Sequence, residues 1–120
     1  MNITVTAERP ESDKVVATIT VPAAEVDKAI ANTYKEVAAK YNFQGFRKGH
    51  APRPVIDGIV GRDAILAQAT EDIVNDAQPA AFEQLDIVPV DRPSYGEDAV
   101  VAVEHEDLVL VATINVPPTC

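Results

Sequence analysis

Ile3, Val5 and Ala7 alternate with polar neighbours, and the alternation resumes at Val15, Ala17, Ile19 and Val21 after the turn-forming stretch Arg9-Pro10-Glu11-Ser12-Asp13. A period of two belongs to strands with one buried face, so the chain is expected to open with two antiparallel strands. After Pro22 the period lengthens. Val26, Ile30, Val37 and Tyr41, with Ala29, Thr33 and Tyr34 between them, form one stripe, and Asp27, Lys28, Lys35, Glu36 and Lys40 form the face opposite. This predicts a helix from about Ala23 to Tyr41, roughly 30 Å long at about 1.5 Å per residue.

Residues 42–51, Asn-Phe-Gln-Gly-Phe-Arg-Lys-Gly-His-Ala, follow neither period and contain two glycines. An ordered loop is expected there. Pro52 and Pro54 can begin a second, short helix, since the first turn needs no N–H. Val55, Ile56 and Ile59 would be its buried side, and Gly58 and Gly61 would stop it. From Arg62 a third helix places Ile65, Leu66, Ala69, Ile73 and Ala77 on one side and Glu71, Asp72, Asn75 and Asp76 on the other. Pro79 is expected to kink or restart it.

Extended structure returns at Ile87 to Val90, followed by the connection Pro93-Ser94-Tyr95-Gly96-Glu97-Asp98. Leu108, Leu110, Ala112, Ile114 and Val116 then alternate with Val109, Val111, Thr113 and Asn115. With Val100, Val101 and Val103 before the polar turn Glu104-His105-Glu106-Asp107, a C-terminal hairpin is expected. Strands at both ends with helices grouped between them describe an α+β domain: an antiparallel sheet built from N- and C-terminal strands, with the 42–51 loop at its tip between the first and second helices.

The chain has 120 residues, 47% of them apolar and 24% charged, with 5 Gly and 9 Pro. That is one domain with enough apolar surface for a core, and too little low-complexity sequence for wholesale disorder. No apolar run approaches the ~20 residues that span a bilayer, and residues 1–10 do not resemble a signal peptide, so no membrane association and a cytoplasmic location are expected. The single cysteine, Cys120, leaves no internal disulfide and no multi-cysteine metal site. No metal or other cofactor is assigned.

The net charge of −9 is unevenly distributed. Residues 1–60 hold eight Lys+Arg against seven Asp+Glu, and residues 61–120 hold two against twelve. Lys35, Lys40, Arg47, Lys48 and Arg53 crowd into a stretch whose sole carboxylate is Glu36. A local positive site on an acidic body is the first functional clue, while the total of −9 argues against nucleic acid.

The residues that stand out are Gly45-Phe46-Arg47-Lys48-Gly49, with Pro52 after them. An aromatic ring beside two cations, between glycines and at a helix boundary, offers apolar area and charged donors on one surface. Gly45 to Pro52 resemble, at every fixed position, the Gly-Phe-Arg-x-Gly-x-x-Pro signature of the ribosome-binding domain of the trigger factor family. The opening strands, the Pro22 to Ala29 helix start and the closing strand near Pro117 extend the resemblance over residues 1–120.

The resemblance implies a non-enzymatic domain that docks a bacterial nascent-chain chaperone on the large ribosomal subunit beside the tunnel exit. Its partners there would be a ribosomal protein, the adjacent ribosomal RNA and the emerging nascent polypeptide. Phe46 would fill an apolar depression, Arg47 and Lys48 would pair with carboxylates or phosphates, Gly45 and Gly49 would set the backbone, and Pro52 would fix the next helix. His50 stands where family members often carry Lys, which leaves a titratable group in place of a fixed charge; Arg53 and Lys40 are auxiliary candidates. The family's prolyl isomerase and substrate-binding domains have no room in 120 residues, so this chain is expected to dock and not to isomerise proline.

Other readings compete. Without the resemblance, burial of Phe46 as a core residue between helices is an even match for its exposure. A helix–loop–helix nucleic-acid-binding domain would use Lys35, Lys40, Arg47 and Lys48, against the net charge; a dimerisation domain leaves a homodimer open. Glu104-His105-Glu106-Asp107 has metal-ligand residue types, but neighbours on a short turn converge poorly and read better as a solvated hairpin tip. No nucleophile, acid–base pair or complete phosphate loop is assembled, so no catalytic residue is assigned.

Overall fold

The computed structural model describes residues 2–95 and 101–117. Two strands, β1 (Thr4–Glu11) and β2 (Lys14–Val21), lead into three helices, α1 (Ala23–Lys40), α2 (Arg53–Ile59) and α3 (Arg62–Leu85), and a last strand β3 (Leu108–Asn115) returns to the sheet. The strand order is β1-β2-β3 and both pairings are antiparallel, so all three helices lie within the crossover from β2 to β3. This is the expected α+β architecture.

The alternation in β2 and β3 is the core of the sheet. Val15, Ala17, Ile19 and Val21 are buried and stand opposite Ile114, Ala112, Leu110 and Leu108, which are buried as well. Register is pinned because a slip of one residue would turn every one of these side chains to solvent. β1 is the exposed edge, and it runs through Pro10 to Glu11 instead of ending before Arg9. Pro10 falls between Glu8 and Glu11, where the register shifts, and a bulged edge strand tolerates the missing N–H.

One face of the sheet carries the helices. Ile19, Val21, Leu108 and Leu110 form a single cluster with Val26, Ile30, Tyr34 and Ala38 of α1, Ile56 of α2, and Ile65, Ala69, Ile73, Ala77 and Ala81 of α3. The small residues of α3 bring α1 and the sheet close to its axis. At the far end Val15, Ala17, Ala112, Ile114 and Val116 form a second cluster under Phe82, Leu85, Ile87 and Tyr95. The chain spans 63 × 24 × 24 Å. Its radius of gyration of 17.1 Å exceeds the roughly 14 Å of a compact domain of this length.

Other details differ from expectation as well. α3 continues through Pro79 without a restart, because Ala77 and Ala81 are fully buried on either side while Asn75, whose carbonyl loses its donor, and Pro79 both face solvent. α1 ends at Lys40; Tyr41 leaves the stripe at 53% exposed, and Ala38 is buried in its stead. On α2 Ile56 is the buried residue, Val55 is half-buried, and Ile59 is exposed. The hairpin does not form at Val101 and Val103, which are exposed and outside any strand; Val100 lies outside the described residues.

Instead of pairing with β3, this segment turns to α3. β2 occupies one edge and Ser94 bridges Thr113 on the other, while the Ala102 N–H donates to Thr70 Oγ1 at 2.8 Å and buries Ala102 over α3. Val90 donates its N–H to the Asn115 carbonyl, so the expected extended stretch at Ile87 to Val90 runs beside β3 without becoming a strand.

Candidate functional site

The 42–52 connection is ordered by four hydrogen bonds and one ring. Tyr41 N–H closes the last turn of α1 on the Val37 carbonyl. Phe43 is then buried at 5% exposure, in the same cluster as α1 and α3, and its carbonyl accepts from the Phe46 N–H at 3.0 Å. Gly45 is the third residue of that turn, with φ 87°. The next four residues repeat the device: the His50 N–H donates to the Arg47 carbonyl at 2.9 Å, and Gly49 takes the third position with φ 90°. Positive φ at the third position is what a type II turn requires, and any side chain there is strained even with open space around it.

The Gly49 N–H also donates to the Ala38 carbonyl at 2.7 Å, which satisfies one of the unpaired acceptors at the end of α1 and ties the second turn to the helix. The two turns meet at Phe46 and Arg47. Phe46 is 43% exposed, so the reading that buries it fails. Gly45, Arg47, Lys48, Gly49, His50 and Pro52 are all exposed, as is Lys40 at the end of α1. Among the described residues no ion pair engages Arg47, Lys48 or Lys40.

Arg53 sits differently. Its guanidinium lies over the Tyr34 ring, 4.7 Å from the centroid, and 4.0 Å from Glu104. Tyr34 donates its hydroxyl proton to Asp57 Oδ1 at 2.6 Å; burial first, and then this hydrogen bond, push the phenol above its usual range. Arg62 approaches Asp57 at 3.9 Å and Glu104 at 2.6 Å, and the Glu104 hydrogen bond raises its pKa further.

Sequence reasoning missed the roles of two residues around the loop. Phe43 is its buried anchor, while Tyr41 is a second exposed aromatic at its start. The only signal for Phe43 was a large aromatic side chain ahead of a glycine, and Tyr41 and Phe46 beside it carry the same signal. Lys35, one of the clustered cations of the sequence, lines a shallow groove of about 230 Å³ beside the second turn with Tyr34, Ala38, Gly49, Ala51 and Arg53.

The Glu104–Asp107 turn is a clasp and not a hairpin tip. Asp107 Oδ1 accepts the Ala23 N–H at 2.8 Å, capping α1 where Pro22 offers no side-chain cap. Asp27 accepts from the His105 N–H at 2.8 Å, and its other oxygen lies 2.8 Å from His105 Nδ1. The backbone donor first and the ring second hold the Asp27 carboxyl below its ordinary 3.8. Among the described residues no cluster of His, Cys, Asp and Glu has a metal-holding arrangement, and no helix is long and apolar enough to cross a membrane.

The profile of the family described as "Bacterial trigger factor protein (TF)" matches residues 1–120. The chain belongs to the trigger factor family. Trigger factors of Staphylococcus aureus strains JH9 and Newman are each 36% identical to it over 117 residues, which is 97% of this chain and 26% of theirs. A solved structure described as "Promiscuous Substrate Recognition in Folding and Assembly Activities of the Trigger Factor Chaperone" has the same fold, with a TM-score of 0.71 at 20% identity over 97% of this chain and 27% of its own. The chain thus spans about a quarter of the length of the trigger factors it matches.

Proposed function

We propose that this domain anchors a trigger factor chaperone, in the cytoplasm, to the large ribosomal subunit beside the polypeptide exit tunnel. The anchor is the Gly45–Pro52 loop, and its role is to hold the chaperone near emerging polypeptide. The observation that carries the proposal is the disposition of three adjacent side chains: Phe46 is 43% exposed on a loop tied down at both turns, and no ion pair among the described residues engages Arg47 or Lys48. The backbone that carries ring and cations is set in advance of binding, so the ordering entropy left to lose is that of the side chains. Phe46 fills an apolar depression on a ribosomal protein, while Arg47 and Lys48 take carboxylates or RNA phosphates. Prolyl isomerisation belongs to other parts of the family's longer chains.

Co-sedimentation tests it. The chain is expected to pellet with 70S ribosomes and with large subunits, and pelleting should weaken as salt rises because the cation contacts are screened. Pelleting with small subunits alone overturns the proposal. So does a triple substitution of Phe46, Arg47 and Lys48 by Ala that leaves binding intact.

A further inference from the structure

We propose that Arg53 is a positioning residue that holds the docking loop through a closed circuit of side chains, and is not itself a ribosome contact; the binding half of this inference rests on the docking role above. The circuit runs from Arg53 over the Tyr34 ring (4.7 Å), from the Tyr34 hydroxyl to Asp57 (2.6 Å), on to Arg62 (3.9 Å), to Glu104 (2.6 Å), and back to Arg53 (4.0 Å). It joins α1, α2, the start of α3 and the 104–107 turn.

α2 needs such a tether. It has seven residues, no side-chain cap, and Ile56 as its one buried residue, so neither helix propensity nor packing alone fixes its place. Arg53 and Asp57 are four residues apart on one face of it, and both are held by Tyr34 of α1. The loop enters α2 at Arg53, directly after Pro52. Arg53 and Gly49 line the same groove against Tyr34 and Ala38, where the Gly49 N–H meets the Ala38 carbonyl. Loosening Arg53 therefore loosens the second turn, and with it Arg47 and Lys48.

Amide hydrogen exchange on the free chain is the first measurement. In Arg53→Ala and in Glu104→Gln, exchange at Gly49 is expected to quicken several-fold while the core amide of Ile19 keeps its protection. Unchanged Gly49 exchange in both variants, or equal acceleration at Gly49 and Ile19, overturns the circuit whatever the chain binds. Arg53→Lys, which keeps the charge and loses the planar stack, should behave as Arg53→Ala does.

Ribosome binding is the second measurement. All three variants should bind about 3- to 10-fold more weakly with an unchanged slope of log affinity against log salt. A direct contact predicts the opposite pattern: Arg53→Lys binds normally, Arg53→Ala has a shallower slope, and Glu104→Gln, which frees the guanidinium, binds as well as or better than the parent. If the Phe46, Arg47 and Lys48 triple variant still pellets, the docking role fails, and the exchange result still decides whether Arg53 holds the loop.

Discussion

Two polar turns in this molecule have similar raw material and opposite fates. The 42–52 loop and the 104–107 turn both join larger elements, both carry charged side chains, and both contain backbone at positive φ, at Gly45 and Gly49 in one and at His105 in the other. In the second, Glu104, His105 and Asp107 all have partners on α1, α2 or α3. In the first the backbone is tied to the core by Phe43 and by the Gly49 N–H, while Phe46, Arg47 and Lys48 point away from it. Order in the backbone combined with side chains that the domain itself does not use is the contrast on which the proposed docking role of this loop rests. A charged turn whose side chains are satisfied internally is a structural fastener, however much its composition looks like a site.

The sharpest way to break the comparison is to empty the loop. Replacing Phe46, Arg47 and Lys48 by Ala should cost about 3–5 kcal/mol of binding, or 10²–10⁴ in affinity, from the lost apolar burial and the screened charge contacts. Stability should stay within about 0.5 kcal/mol, because all three are on the surface. Thermal melting beside pelleting separates the two effects; a variant that melts several degrees lower would mean that Phe46 serves the fold.

The anchor of the same loop should behave in the reverse manner. Phe43→Ala removes a ring that is 5% exposed and is expected to destabilise the chain by about 3 kcal/mol or more, with urea denaturation as the measurement. Loss of ribosome binding without loss of stability in this variant would erase the distinction between anchor and contact.

Cutting the fastener should have a smaller effect. Asp107→Ala strips the cap from α1 and should destabilise by about 1 kcal/mol, a shift of a few degrees in melting temperature, with ribosome affinity unchanged. Reduced affinity at constant stability would move the 104–107 turn to the functional side of the comparison.

The smallest effect is pH-dependent. The folded state holds the Asp27 carboxyl below its ordinary 3.8, so this contribution to stability is present above about pH 4 and is lost as pH falls through the lower folded value. Asp27→Asn should flatten the acid limb of the melting-temperature profile in that window. A parallel downward shift at every pH would mean that the carboxylate's charge has no part in the contact with His105.

Much of this was legible along the chain. Periods of two placed β2 and β3 with their buried faces, and the lengthened period placed α1 and α3, because burial on one side of a regular element writes its own repeat into the residues. An ordered loop at Gly45–Pro52 was legible too, because its two glycines permit the positive φ that the structure shows at both.

What stayed hidden depends on which neighbour each segment finds. Val101 and Val103 have strand-like composition, but Ala102 between them bonds to Thr70 and is buried over α3. Pro79 breaks helices in isolation, yet buried Ala77 and Ala81 keep α3 continuous past it. The burial of Phe43 beside an exposed Phe46, the capture of Arg53 by Tyr34 and Glu104, and the cap that Asp107 provides 84 residues away were equally out of reach. Local pattern reports whether a side chain favours the interior, and it carries no information about which partner, many residues distant, competes for that side chain once the helices close on the sheet.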